Sequence, residues 1–377
     1  MRQLAEFLLQ PGVVLLLAFF TTWILARFFV DNVVFALVGA ALALVFAPWQ
    51  EAAGYTYAFE FGVVGYVFFP YLLTLAAYLI GNAFPWRRLE IVRGKMYKLF
   101  FNAALIYGLA AGALLLAARY FNFAETLQPW LIYFSLAAGL ISFNEPLCRL
   151  IRWPARGPLT TVLPGFGALS SCVTLLLGFC WRFGDWPLLL TSAGAAALFF
   201  AVWRAFIYLA KQPADSLLAR LLQLTFLLLA YQFWSYHAVV AALILGLLNA
   251  LTKTKIWSLR YNLELWRLLN ALTFLLIFVW LKIDWAALGA AAALLVLRLV
   301  VFYLYNFLAR RYLFGEDFCR RIAYGLRISD GALILLLWAF NVEQLVLSAA
   351  VLAALAENLF YPLVLRRILQ QSGELAA

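Results

Sequence analysis

Charged residues are scarce in this 377-residue sequence: Asp, Glu, Lys and Arg together make up 12%, whereas hydrophobic residues make up 67%. Roughly a quarter of the residues in an ordinary soluble domain are charged, so this composition excludes a soluble globular protein. Apolar runs of about 18–22 residues recur along the chain, and each is long enough to cross the hydrocarbon core of a bilayer. An outer-membrane barrel would show shorter, alternating runs. The sequence therefore predicts an all-α polytopic membrane protein.

Residues that bind cofactors are also few. The chain has one histidine, His237, and four cysteines without CxxC or metal-binding spacing. Membrane cytochromes of the b type need paired histidine ligands, so a haem subunit is disfavoured. No nucleotide-binding motif is visible either, and we expect no cofactor. His237 lies at a predicted outer turn, which favours an interfacial ring; a pH-sensing role is the alternative.

The apolar runs predict about thirteen membrane spans with short loops, which leaves no room for a separate soluble domain. We therefore treat residues 1–377 as a single transmembrane domain. The predicted limits of the spans are 12–30, 33–49, 61–83, 99–120, 127–153, 160–182, 186–210, 216–233, 236–252, 266–282, 285–308, 322–340 and 344–365.

The net charge of +11 is explained by orientation in the membrane and not by binding to nucleic acid. Lys and Arg concentrate in the odd-numbered loops, and the loop after span three alone contains five of them. By the positive-inside rule those loops and the C-terminus are cytoplasmic, and the N-terminus is outside. This orientation suits a multi-pass protein of the inner (cytoplasmic) membrane. The opposite side keeps only Arg2, Arg119, Arg182 and Lys282.

Several stretches, in the same order and spacing, resemble the monovalent cation:proton antiporter superfamily. Residues 26–48 are similar to its first hairpin, and residues 59–72 (FEFGVVGYVFFPYL) to its third helix. Residues 138–151 (AGLISFNEPLCRLI) resemble the segment that carries Thr-Asp-Pro or Thr-Ser-Pro in that family. Residues 274–288 and 294–337 follow the family's last four helices. The resemblance, of which these stretches are the clearest parts, extends over nearly the whole chain.

This resemblance implies the sodium/proton antiporter fold, with two inverted five-helix repeats and a broken helix in each. The first helix would occupy residues 1–32, the first repeat 33–182, linker helices 183–233 and the second repeat 234–377. The broken helices would be span five, near Ser142–Pro146, and span twelve, near Ser329–Gly331. Because members of the family commonly form homodimers, the resemblance also implies a homodimer.

Glu145 is the first candidate site residue that the resemblance indicates. Pro146 disrupts the preceding helical turn, and Asn144 is placed to satisfy a freed carbonyl group. Glu145 falls where the family has the Asp or Ser of its Thr-Asp-Pro-like motif, and a poorly solvated carboxyl group can exchange protons near neutral pH. Alternatively, span five ends at Phe143, and Glu145 caps a cytoplasmic helix and pairs with Arg149 four residues later.

Span twelve and its neighbours supply further candidates. Asp330 lies where the family often has Gly-Glu, with Ser329 before it as an oxygen donor; a helix-capping role is the alternative. Arg298 interrupts an apolar span and matches an embedded basic residue of the family. An arginine at that depth needs a carboxylate partner, and we expect a structural or gating ion pair with Asp330 or Glu145. Asp284 is expected to be interfacial.

Span six departs from the family pattern, which has one or two aspartates at its middle. Residues 160–181 contain no ionisable carboxylate or base, and the matching positions are Ser170 and Ser171. A serine hydroxyl can bind a dehydrated cation, but it does not exchange its proton near neutral pH. Trp280 also stands where the family's tenth span has a small residue.

Two functional hypotheses follow. The first is a secondary transporter that exchanges Na⁺ or K⁺ for H⁺ at an altered site formed by Glu145, Asn144, Ser170, Ser171, Ser329 and Asp330. The second is a transport-inactive protein of this fold that acts as a scaffold, a sensor or a subunit of a larger complex. The partners would be membrane lipids, monovalent cations and protons, and a second copy or another membrane protein. No clustered catalytic side chains indicate an enzyme.

Overall fold

A computed structural model describes residues 20, 34, 36–41, 57–84, 86, 124–140, 158–182, 185–211, 216–251, 259–280, 284–312, 317–326 and 328–375. Within these ranges the secondary structure is helical, and no strand occurs. The longer helices are, in chain order, α1 (Tyr57–Asn82), α2 (Ala124–Gly139), α3 (Pro158–Arg182), α4 (Trp186–Leu209), α5 (Leu217–Trp234), α6 (Ala238–Leu251), α7 (Leu259–Trp280), α8 (Trp285–Tyr312), α9 (Phe318–Gly325), α10 (Gly331–Ala339) and α11 (Gln344–Gln371).

Helix length and composition support a multi-pass membrane protein. In the described ranges, five stretches are long and apolar enough to cross a membrane, and α1 and α7 contribute shorter apolar segments. Predicted span four, and most of spans one and two, lie outside these ranges, so the number thirteen stays a prediction. The five stretches are Val162–Phe179, Trp186–Leu209, Leu218–Leu251, Trp285–Phe307 and Gln344–Gln371.

The stretch Leu218–Leu251 is a hairpin of two helices. A single 3₁₀ turn, Ser235–His237, separates α5 from α6, and Ser235 adopts a positive φ of 48°. Gln223 on α5 and Asn249 on α6 lie equally far from this turn and are joined by a hydrogen bond of 3.1 Å. The two helices are therefore antiparallel, as expected for separate spans eight and nine, and His237 lies at their connection.

Two glycines allow α1 and α6 to approach each other closely. A Cβ atom on Gly81 would lie 2.3 Å from the carbonyl oxygen of Leu243, and one on Gly246 would lie 2.3 Å from that of Tyr78. Both clashes are with backbone atoms, which cannot rotate away. The contact between these two helices therefore depends on the absence of side chains at both positions.

The buried apolar residues form two separate clusters. The larger one joins residues of α1 to α8, α10 and the first half of α11. The smaller one, the end cluster, gathers the start of α3, the second half of α8, α9 and the end of α11. Its members are Leu159, Val162, Leu163, Phe166, Val301, Tyr305, Ala323, Leu326, Ile328, Leu365, Ile368 and Leu369.

The helices α4 and α8 expose long apolar faces. Leu190 and Leu198 on α4 are at least 60% exposed, as are Val296 and Phe307 on α8. Lipid tails would cover such faces in a membrane. Trp285 is exposed at the first residue of α8, where an aromatic side chain suits the headgroup region.

We predict that Gly81→Ala lowers stability by about 1–3 kcal/mol, because the added methyl group would force α1 and α6 apart. Thermal unfolding of the purified protein in detergent measures this effect. Gly194→Ala and Gly289→Ala are matched controls, since a Cβ atom at either position meets nothing within 4 Å. A Gly81→Ala melting temperature equal to those of the two controls would contradict the prediction.

Candidate functional site

The predicted interruption of span twelve is present. The helix α9 ends at Gly325 and α10 begins at Gly331, with Leu326 and residues 328–330 outside any helix. Asp330 adopts an extended conformation, and its carboxylate accepts a hydrogen bond of 3.0 Å from the amide of Ala332. The side chain thus caps α10, the alternative considered for this residue, and it is also buried, at 5% exposure.

A side chain of α7 satisfies the next amide of this helix terminus. Asn270 Oδ1 accepts a hydrogen bond of 2.9 Å from the amide of Gly331. A Cβ atom on Gly331 would lie 2.8 Å from the same oxygen, so the residue must be small for the bond to form. Backbone groups outside a helix are tolerated at membrane depth only where protein or trapped water satisfies them.

The last helix satisfies the backbone of Ser329 from the other side. Glu357 Oε2 accepts a hydrogen bond of 3.1 Å from the Ser329 amide. Asn358 Nδ2 donates to the Ser329 carbonyl oxygen over 2.7 Å. Both backbone groups of Ser329 therefore find partners on α11, and Ser329, Glu357 and Asn358 are all at most 5% exposed.

Arg298 on α8 forms a buried ion pair with Glu357. Its Nη1 atom contacts Glu357 Oε1, and it also donates to Ser329 Oγ over 2.9 Å and to Tyr133 Oη over 3.4 Å. Arg298 is 3% exposed and Glu357 is 1% exposed. An isolated arginine at mid-membrane costs roughly 2.5–3.5 kcal/mol on insertion scales, and a carboxylate partner offsets that cost.

The sequence analysis did not single out Glu357 as a partner of Arg298. Of the two partners that it expected, Asp330 lies at the same interruption and Glu145 lies outside the described residues. A signal was present: Glu357 is an acid inside the last apolar run (AALAENLFYPLV), as Arg298 is a base inside an earlier one. The rule that an ionisable residue within a span marks a functional site applies equally to both. Applied consistently, it would have found Glu357.

The candidate residues differ in how the structure places them. Arg298, Ser329 and Asp330 lie together at the interruption. Ser170 and Ser171 are buried on α3, at 3% and 4% exposure, and the Ser170 carbonyl accepts a hydrogen bond of 2.8 Å from Thr174 Oγ1.

Span five is described only in its first half. The helix α2 ends at Gly139 and its Tyr133 contacts Arg298, but the predicted opening, with Asn144 and Glu145, lies outside the described residues. A Cβ atom on Gly139 would overlap Thr174 of α3, so the end of α2 packs tightly against span six.

The site lies between the two apolar clusters. Along α8, Leu294 belongs to the larger cluster and Val301 to the end cluster, with Arg298 between them. Along α11, Glu357 lies between Ala354 of the larger cluster and Leu365 of the end cluster. On α3, Phe166 and Cys172 lie on either side of Ser170 and Ser171, so the two serines occupy the same layer of the bundle.

Sequence analysis also missed a second buried polar group, the Tyr78–Gln223–Asn249 ring. Tyr78 Oη donates to Gln223 Oε1 over 2.8 Å, Gln223 Nε2 donates to Asn249 Oδ1 over 3.1 Å, and Asn249 Nδ2 donates to Tyr78 Oη over 2.9 Å. The ring ties α1 to the α5–α6 hairpin. Each residue is at most 1% exposed, and none carries a charge that would have marked it in the sequence.

Two residues that were expected to be interfacial lie at element ends. Asp284 precedes α8, is exposed, and accepts a hydrogen bond of 2.7 Å from the amide of Ala287. His237 is partly exposed in the turn between α5 and α6. Trp280 is the last residue of α7.

No protein-family model matches the chain, and no curated protein matches it. Among solved structures, it is similar to the sodium/proton antiporter MjNhaP1 from Methanocaldococcus jannaschii at pH 8, with a TM-score of 0.60 and 14% sequence identity. The similarity covers 97% of each chain. MjNhaP1 is a transporter and not an enzyme. A likeness at this identity concerns the fold, and the chain therefore has the overall fold of a sodium/proton antiporter.

Proposed function

We propose that this protein is a secondary transporter that exchanges Na⁺ or K⁺ for H⁺ through an altered ion site. The observation that carries the proposal is the interrupted helix between α9 and α10, where two buried carboxylates meet one buried arginine. Interrupted helices at mid-membrane form the binding sites of many secondary transporters. The antiporter fold of the chain agrees with this function.

Antiport requires a group that binds either a proton or a cation, so that the two compete for one site. The described part of the site contains Asp330, Glu357 and Arg298, which gives two acids against one base. Arg298 balances the charge of Glu357, with which it is paired. Asp330, which is also buried, is the second acid that we assign to a competition of this kind.

Neutral oxygen atoms would complete the coordination of a dehydrated cation. Ser329 lies beside Asp330, and Ser170 and Ser171 occupy the same layer of the bundle on α3. Glu145 and Asn144 of span five remain part of the proposal on the strength of the sequence resemblance. The inner-membrane location, the outward N-terminus and a homodimer are likewise proposals.

A transport-inactive scaffold, sensor or subunit is the second candidate function. Two observations favour it: span six contains no acid in residues 160–181, and the Arg298 guanidinium already contacts both Glu357 and Ser329. The positive charge of Arg298 would then occupy the oxygen atoms that a transported cation would need. Transport measurements separate the two functions.

We predict that purified protein in liposomes produces a pH change when Na⁺ or K⁺ is added, and that Asp330→Asn and Glu357→Gln abolish it. Each variant removes an acid from the interruption and keeps the size of the side chain. A pH-sensitive dye inside the liposomes measures the exchange. Asp284→Asn is the matched control and should retain the wild-type rate, because Asp284 is exposed outside the site.

The outcome of this assay decides between the two functions. Exchange that persists undiminished in both Asp330→Asn and Glu357→Gln would rule out the residue assignment. A wild-type protein that responds to neither cation, although it is folded and correctly inserted, would refute the transport proposal. A membrane protein that co-purifies with it in fixed proportion would then support the subunit function.

We also predict that Glu357→Ala lowers stability by about 3–5 kcal/mol, because it leaves the Arg298 charge buried without its carboxylate. The double variant Arg298→Met, Glu357→Leu should recover much of this loss, since it replaces both charges by apolar side chains of similar volume. Thermal unfolding in detergent compares the single and double variants. If the loss of stability in the double variant equals the sum of the losses in the two single variants, the assignment of the pair is contradicted.

A further inference from the structure

The chain turns back on itself directly after the last helix. Gly373 has a left-handed φ of 72°, and the amides of Glu374 and Leu375 both donate to the Leu369 carbonyl oxygen, over 3.0 Å and 3.1 Å. These bonds end α11 and direct the following residues sideways. We name residues 372–375 the latch.

The Glu374 side chain of the latch binds the first turn of α3. Its Oε1 accepts a hydrogen bond of 2.9 Å from the Leu159 amide, and its Oε2 accepts one of 3.1 Å from the Thr160 amide. The first amides of a helix have no partner within the helix, and a negative charge there is favourable. This cap comes from 215 residues further along the chain, so it joins α3 to the end of α11.

The end cluster lies behind this contact. Its α3 members, from Leu159 to Phe166, lie between the latch and Ser170, and its α11 members, from Leu365 to Leu369, lie between the latch and Glu357. Leu375 packs against the cluster from the latch itself. Arg298, Glu357, Ser170 and Ser171 form the polar layer between the two apolar clusters. The latch and the end cluster together therefore cover one end of this layer.

We propose that the latch acts as a gate. While Glu374 caps α3, this end of the bundle stays closed, and release of the latch lets water reach the buried layer that contains Ser170. The charge distribution places this end on the cytoplasmic side. Opening separates the start of α3 from α11, because the Glu374 carboxylate bridges these two helices and the end cluster packs between them. The proposal concerns access to the polar layer and holds whether or not the protein transports an ion.

Access is measured by the labelling rate of a cysteine placed in the layer. The reporter is Ser170→Cys in a background in which the native cysteines are replaced by alanine, and the probe is a membrane-impermeant maleimide applied to inside-out vesicles. We expect Glu374→Ala and Gly373→Val to raise the labelling rate about tenfold, as loss of a charged helix cap with its hydrogen bonds would give. The replaced residues are Cys148, Cys172, Cys180 and Cys319.

Glu343→Ala is the matched control. Glu343 directly precedes α11 at its other end, is exposed, and makes no capping bond through its side chain. The labelling rate should be unchanged in this variant. When the probe is applied to right-side-out vesicles, the labelling rate of the Glu374→Ala protein should equal that of the protein with Glu374 intact.

Hydrogen–deuterium exchange provides a second measurement on the same proteins. Release of the latch should increase deuterium uptake in the first turns of α3, and Glu374→Gln, which keeps one acceptor oxygen, should give an intermediate increase. Faster uptake without faster labelling would show that Glu374 is only a helix cap and would overturn the proposal. Equal acceleration from both sides of the membrane would overturn it too, because it indicates general loosening of the bundle.

Discussion

The structure depends on hydrogen-bond partners for the backbone amide and carbonyl groups of Ser329 inside an apolar bundle. An unpaired amide or carbonyl group at that depth costs several kcal/mol, and no water is available to replace a partner. Two successive residues of α11, Glu357 and Asn358, supply an acceptor for the Ser329 amide and a donor for the Ser329 carbonyl oxygen. The gap between α9 and α10 is therefore fixed by the last helix of the chain.

The charge on Glu357 imposes a second requirement, which is a counter-ion. A buried carboxylate needs a counter-ion, and Arg298 on α8 provides it while also binding Ser329 Oγ. The interruption, the acid and the base thus form one unit to which α8, α10 and α11 each contribute. Apolar clusters on both sides keep this unit away from water, which strengthens its electrostatic interactions.

Much of this arrangement could be predicted from the sequence. The described helices lie where apolar runs predict spans, and the resemblance to the antiporter superfamily indicated the interruption near Ser329–Gly331. Glu357 was not foreseen as a partner of Arg298, because a sequence does not show which spans are neighbours. Asp330 is close in sequence to the expected break, whereas Glu357 reaches Ser329 only through packing of α11.

The uncharged Tyr78–Gln223–Asn249 ring was beyond sequence analysis for a different reason. Tyrosine, glutamine and asparagine are ordinary in helices near an interface, and only a closed set of three hydrogen bonds makes them notable. The ring also has a consequence for the response of the bundle to acid. The three hydrogen bonds of the ring involve no ionised group, so a fall in pH does not remove a partner from them. Loss of this connection between α1 and the α5–α6 hairpin in acid would therefore have to start from groups outside the ring.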